Sequence, residues 1–138
     1  MRLFLYLLIP FTLLATDIKI LNNYDLGLQK AKQEHKLVYV LISSQECQWC
    51  NKFEKTTLSN SSIQDRLNEE FVVVKLTLEH NKIDKKFKTT PIPRHYFLDS
   101  SGNIIYSALG YRDKDLFDSF MDNTQERYKK INLKKGKK

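Results

Sequence analysis

Cys47-Gln48-Trp49-Cys50 holds the only two cysteines among 138 residues, at a junction between two unlike stretches of chain. Before it, Leu37 to Ser43 (LVYVLIS) is a continuous apolar run, the pattern of a strand buried on both faces. After it, Gln48 to Leu58 reads as a helix opening directly behind Cys47. Two thiols three positions apart in a first helical turn can close a small disulfide without moving the backbone. The positive end of the helix stabilises a thiolate at Cys47 and makes it the attacking group. Cys50, inside the helix, is the resolving thiol that would break a mixed disulfide. A pair so spaced beside a β-α-β pattern is a redox signature.

Competing uses of the thiols fit less well. A disulfide across two intervening residues closes too small a loop to constrain the unfolded chain much. A zinc site needs about four ligands, and His35, His80 and His95 are scattered without ligand spacing. Attached haem would need histidine directly after Cys50, where Asn51 stands. No metal and no organic cofactor is expected.

The remaining pattern extends the β-α-β reading. Asp25 to Lys36 carries a helix signal, Ser62 to Glu70 a second, and Phe71 to Leu78 (FVVVKLTL) a β-branched strand. Ile83 and Phe87, four apart in a polar segment, predict a short amphipathic helix over Asn81 to Lys88. Arg94 to Leu98 and Asn103 to Leu109 read as strands joined by the Asp99-Ser100-Ser101-Gly102 turn. Asp113 to about Asn132 reads as a long closing helix, with acids early and lysines late as the helix dipole favours. One α/β domain without internal repeats accounts for the length.

Charge is confined to the ends. The formal net charge is +7, yet Arg2 and six lysines from Lys129 onward account for all of it, leaving 16 cations against 16 acids. With no basic stripe through the body, nucleic-acid binding is not expected. Met1-Arg2 and the thirteen residues Leu3 to Ala15 form a cationic start and an apolar run. As a helix that run spans about 20 Å, short of a hydrocarbon core of roughly 30 Å. It has the size of a secretory signal's apolar region, with Ala15 suited to the cut and Leu13 ill suited to the position two before it. Export is expected, and an uncleaved segment would tether the domain to the membrane. The expected organisation is an apolar segment over 1–16, a domain over 17–132 and a basic tail over 133–138, the tail able to make weak contact with an anionic membrane surface.

The strand Leu37–Ser43, the Cys47–Cys50 pair on a helix, Pro93 before a strand, and the Phe97-Leu98-Asp99-Ser100-Ser101-Gly102 turn together resemble the thioredoxin-like superfamily, in particular bacterial exported thioredoxin-related proteins. The resemblance covers roughly residues 25 to 128. It implies a thioredoxin-like fold, a central mixed β-sheet flanked by helices in a single domain. It also implies a cis-proline opposite the dithiol. Pro91 and Pro93 compete for that role, and the family pattern selects Pro93, with Ile92 contacting the dithiol. Trp49 offers either an aromatic face for a substrate chain or a cap on the core. The family's buried acid six residues before the first cysteine is replaced by Leu41, and Glu46 precedes Cys47 where Trp is common. His95, two residues past Pro93, reads as structural or solvated rather than catalytic, and Tyr96 and Phe97 as core.

The function implied is thiol–disulfide exchange through Cys47 and Cys50 on protein or small-molecule disulfides in the periplasm. Ile92 tilts it toward reduction, with a membrane or cytosolic redox partner restoring the dithiol. The alternative is a non-catalytic module that uses the same fold to dock a partner protein.

Overall fold

In the computed structural model, which describes residues 17–136, a five-stranded sheet has the order β1-β3-β2-β4-β5. Its strands are β1 (Ile20–Leu21), β2 (Leu37–Ser43), β3 (Phe71–Thr77), β4 (Arg94–Leu98) and β5 (Ile104–Leu109). The helices are α1 (Tyr24–Glu34), α2 (Gln48–Phe53), α3 (Ser61–Glu70) and α4 (Lys114–Lys135), and α2 continues into a π-helical turn over Glu54–Leu58. This is the expected central mixed β-sheet flanked by helices in a single domain. The apolar start and the last two lysines lie outside the described residues.

β2 is the middle strand and is buried at every position. It runs parallel to β3, with Tyr39 opposite Val73, and antiparallel to β4, with Tyr39 opposite Phe97. Successive side chains point to opposite faces of a strand, so β2 supplies two cores. Tyr39 and Leu41 join Phe53, Leu67, Phe97 and Phe117 on one face, and Val38, Val40 and Ile42 join Ala31, Val74 and Leu98 on the other. Arg66 links α3 to α4, donating to Asp118 at 2.9 Å and Asp122 at 2.7 Å while holding Glu70 on its own helix at 2.8 Å.

Three local expectations need correction. The helix expected over Asn81 to Lys88 is absent, and the segment is irregular with a turn at Lys85–Lys86. An eight-residue helix is marginal by itself, and here the neighbouring chain claims its groups. The Asn81 side chain accepts from Thr77 N–H and donates to the Asn22 carbonyl, each at 2.8 Å. Phe87 sits between the rings of Tyr24 and Tyr96, at 5.2 and 4.9 Å between centroids, and Lys88 N–H donates to the Tyr96 hydroxyl. The two-residue β1 was not foreseen. The closing helix, capped by Asp113, extends to Lys135, so Lys134 and Lys135 form its last turn rather than a tail.

A histidine lies in the larger core. His95 is wholly buried, edge-on to Phe53 at 4.7 Å between ring centroids. Its Nε2 is 2.9 Å from the Gly110 carbonyl, which can only accept, so Nε2 carries the proton. Nδ1 then accepts from the Tyr39 hydroxyl at 2.8 Å. Burial lowers the His95 pKa to about 4 and, joined by the Glu54 carboxylate, raises that of Tyr39, so both stay neutral at pH 7.

Two outcomes are expected. Gly27 of α1 packs on β3, where an added Cβ would overlap Cγ2 of the fully buried Val74. Gly27→Ala is expected to lower unfolding free energy by about 1–3 kcal/mol despite alanine's better helix propensity, as measured in urea. The unfolded chain protonates His95 near pH 6.5, whereas the folded chain does so only near 4. The unfolded state therefore binds more protons between those values, and the contribution is intact above pH 6.5 and lost as pH falls toward 4. Relative to His95→Gln, which keeps a donor and an acceptor, the wild-type stability curve should be steeper there by about one proton, roughly 1.4 kcal/mol per pH unit.

Candidate active site

The sheet edge at the end of β2 gathers the residues expected to act. Ser44 to Glu46 connect the strand to α2, and Glu79, beyond β3, holds this connection by accepting from the Ser44 hydroxyl and from Gln45 N–H at 3.2 Å. Gln45 also meets His80 at 2.7 Å. Cys47 N–H donates to the Ser44 carbonyl at 3.3 Å, which turns the chain so that Cys47 becomes the N-cap of α2.

Cys47 and Cys50 are joined in a disulfide with their Cα atoms 5.2 Å apart. They differ in environment: Cys47 is half-buried and Cys50 fully buried. The Cys50 N–H points at Cys47 Sγ from 3.1 Å. A hydrogen bond from a helix-start amide stabilises negative charge on the sulfur that accepts it. The accessible sulfur is thus the one placed to carry a thiolate, and the buried one lies behind it.

Pro93 approaches from β4. Arg94 pairs with Ile42, so Pro93 stands level with Ser43 at the same sheet edge. Both Thr90–Pro91 and Ile92–Pro93 are cis, so the cis geometry is not confined to Pro93. Pro93 is buried and Ile92 half-buried, the latter packing against the α1-side core. The Pro93 carbonyl accepts from Gly110 N–H at 2.8 Å, and the Gly110 carbonyl in turn accepts from His95. Gly110 has φ +84°, a region that L side chains rarely adopt, and this lets one residue serve both bonds. His95 therefore supports the proline segment from within the core and does not face the dithiol chemistry directly.

Trp49 is 50% exposed. Its ring centroid lies 6.1 Å from that of Tyr111, and an open cleft of about 190 Å³ is lined by Gln48, Trp49 and Lys52. Leu41 is wholly buried, so no carboxylate occupies its place in β2.

An acid stands nearby instead. Glu54, one helical turn past Cys50, accepts from Lys75 Nζ at 2.8 Å and from the Ser43 hydroxyl at 3.5 Å. Lys75 is opposite Leu41 on β3. Positions four apart share a helix face, which puts Glu54 on the same face as Cys50. This pair was not foreseen, although the lone lysine in the apolar strand FVVVKLTL and the four-residue spacing from Cys50 were its signals. Tyr111 left no comparable signal.

Known proteins resemble this chain in sequence or in fold. Mouse anterior gradient protein 3 is 30% identical over 87 residues, which span 62% of this chain and 52% of that protein. The thiol:disulfide interchange protein DsbD of Yersinia pestis (strain Pestoides F) is 31% identical over 100 residues, 68% of this chain and 17% of that protein. The chain thus spans about half the length of the anterior gradient proteins and a small part of DsbD. Among solved structures, the DsbH oxidoreductase superposes with a TM-score of 0.63 at 17% identity, covering 83% of this chain and 86% of that one. The oxidised C-terminal domain of Neisseria meningitidis DsbD does so with 0.63 at 15% identity, covering 77% and 99%. The thioredoxin-like domain model matches residues 24–125, and the chain belongs to the thioredoxin-like family.

Proposed function

We propose that this protein is a thiol–disulfide oxidoreductase that reduces disulfides of exported proteins or small molecules through Cys47 and Cys50. The observation that carries the reading is the asymmetry of the pair: Cys47 Sγ, half-buried, accepts the Cys50 amide at the helix start, while Cys50 itself is sealed in the core. In the reducing direction the Cys47 thiolate attacks one sulfur of a client disulfide. A Cys47–client S–S bond forms, the client S–S bond breaks, and the departing client thiolate takes a proton from water. Cys50, deprotonated, then attacks Cys47 Sγ, breaks the mixed disulfide and releases the second client thiolate. Two electrons have passed to the client, and the Cys47–Cys50 disulfide remains.

Pro93 and Ile92 are assigned to the client backbone and Trp49 to its side chains. Glu54 is assigned as the acceptor of the Cys50 proton, its charge fixed in place by Lys75. A dithiol reductant on a membrane or cytosolic redox partner restores the reduced pair. Location in a periplasm rests on the cationic and apolar start of the sequence, Met1 to Ala15. If that segment stays attached it tethers the domain.

Cys50→Ser should capture client proteins as mixed disulfides through Cys47 when expressed under exporting conditions, and Cys47→Ser should capture none. No capture by Cys50→Ser would sink the catalytic reading and leave the partner-docking module in its place. The reduction potential of the pair in dithiothreitol buffers is expected near −270 mV, whereas a value toward roughly −120 mV would reverse the direction. Glu54→Gln is expected to lengthen the life of the mixed disulfide about tenfold in rapid-quench experiments, because the resolving thiol loses its proton acceptor.

A further inference from the structure

Among the described residues three cations near the dithiol, Lys52, Arg94 and Arg112, have no carboxylate partner. Lys52, one turn into α2, holds its ammonium 5.2 Å from the centroid of the Trp49 ring and 4.7 Å from that of Tyr111. Tyr111 is steadied by a 3.3 Å contact between its hydroxyl and that of Thr56. Across the sheet edge, Arg94 folds over the proline segment, donating from Nε to the Pro91 carbonyl at 3.1 Å and from Nη2 to the Thr90 carbonyl at 3.3 Å. Arg112 donates from Nη1 to the Tyr111 carbonyl at 2.9 Å, and its Nε is shut from solvent without an acceptor.

Lys36 and Arg66 elsewhere do form ion pairs, as does Lys75 with Glu54 on another side of the dithiol. Of the nearby acids, Glu79 accepts from the Ser44 hydroxyl and Gln45 N–H, bonds that lower its pKa and leave it an anion, and Glu46 is exposed beside Cys47. Aromatic faces hold an ammonium without neutralising it, so Lys52 still attracts an anion. Lys52 lies on α2, the helix that carries the dithiol, and Arg94 directly follows Pro93 at the start of β4.

We propose that this face selects client disulfides whose cysteine is flanked by acidic residues, Lys52 and Arg94 receiving the client carboxylates while Trp49 and Tyr111 seat the intervening chain. The proposal rests on the oxidoreductase reading and adds the chemical class of the client. Exposed rim charges act chiefly on the rate of encounter, and salt weakens them.

The test is a single-turnover reaction of the fully reduced protein, followed through the fluorescence of its one tryptophan, Trp49. The probes are peptide disulfides identical except for glutamate, glutamine or lysine beside the cysteine. The expected second-order rate constant is about tenfold higher for the acidic peptide than for the neutral one at low salt, with the advantage shrinking toward twofold near about 0.5 M salt. Lys52→Gln with Arg94→Gln should bring the acidic-to-neutral ratio close to one, and Lys52→Arg should retain it. Because each ratio is taken within one variant, a change in Cys47 reactivity cancels. Equal rates for acidic and neutral peptides in the wild type would overturn the proposal while leaving the oxidoreductase reading intact. So would a preference that survives the double substitution. Failure of every peptide to react would remove both.

Discussion

Burial of β2 on both faces is the constraint from which the other positions follow. A strand with Val38, Val40 and Ile42 on one side and Tyr39 and Leu41 on the other needs a cover on each face and a partner on each edge. α1 supplies one cover, α2, α3 and α4 the other, and β3 and β4 fill the edges. A central strand has no freedom to slide without turning every side chain to the wrong face. Its end at Ser43 is consequently a fixed point, and the four residues from there to Cys47 place the dithiol relative to the whole core.

The second organising feature is polar. Gly110 accepts from His95 with its carbonyl and donates to Pro93 with its amide, and His95 in turn is fixed by Tyr39. A run of hydrogen bonds thus leads from the middle of β2 to the proline segment beside the cysteines. Buried polar groups are costly unless fully satisfied, and here both ring nitrogens have partners. Glu54 and Lys75 form a separate, half-buried pair on the other side of the dithiol, joining the π-helical turn to β3. The two polar arrangements hold two sides of the site by different means, one neutral and one charged.

Much of this was legible in the sequence, for identifiable reasons. The bounds of β2 follow from an apolar run with polar neighbours, and the redox pair from its spacing and its place at a strand-to-helix junction. The segment after β3 misled because Ile83 and Phe87 imitate a helical face, whereas Phe87 is held by Tyr24 and Tyr96, distant in sequence. β1 was invisible because two residues, Ile20 and Leu21, carry no period. The Tyr39–His95 bond spans 56 positions, and no local pattern reports a contact of that kind.

α4 sets a distance that bears on how the protein's charge is felt. The helix starts just after Arg112, next to Tyr111 and Trp49, and runs 22 residues to Lys135. At 1.5 Å per residue it is about 33 Å long, roughly four screening lengths at physiological ionic strength. Lys129, Lys130, Lys134 and Lys135, four of the lysines behind the pI of 9.4, lie toward the far end of that rod. Titration and colloidal behaviour will therefore report a strongly basic molecule, while a disulfide arriving at Cys47 meets a field set by a handful of nearby groups.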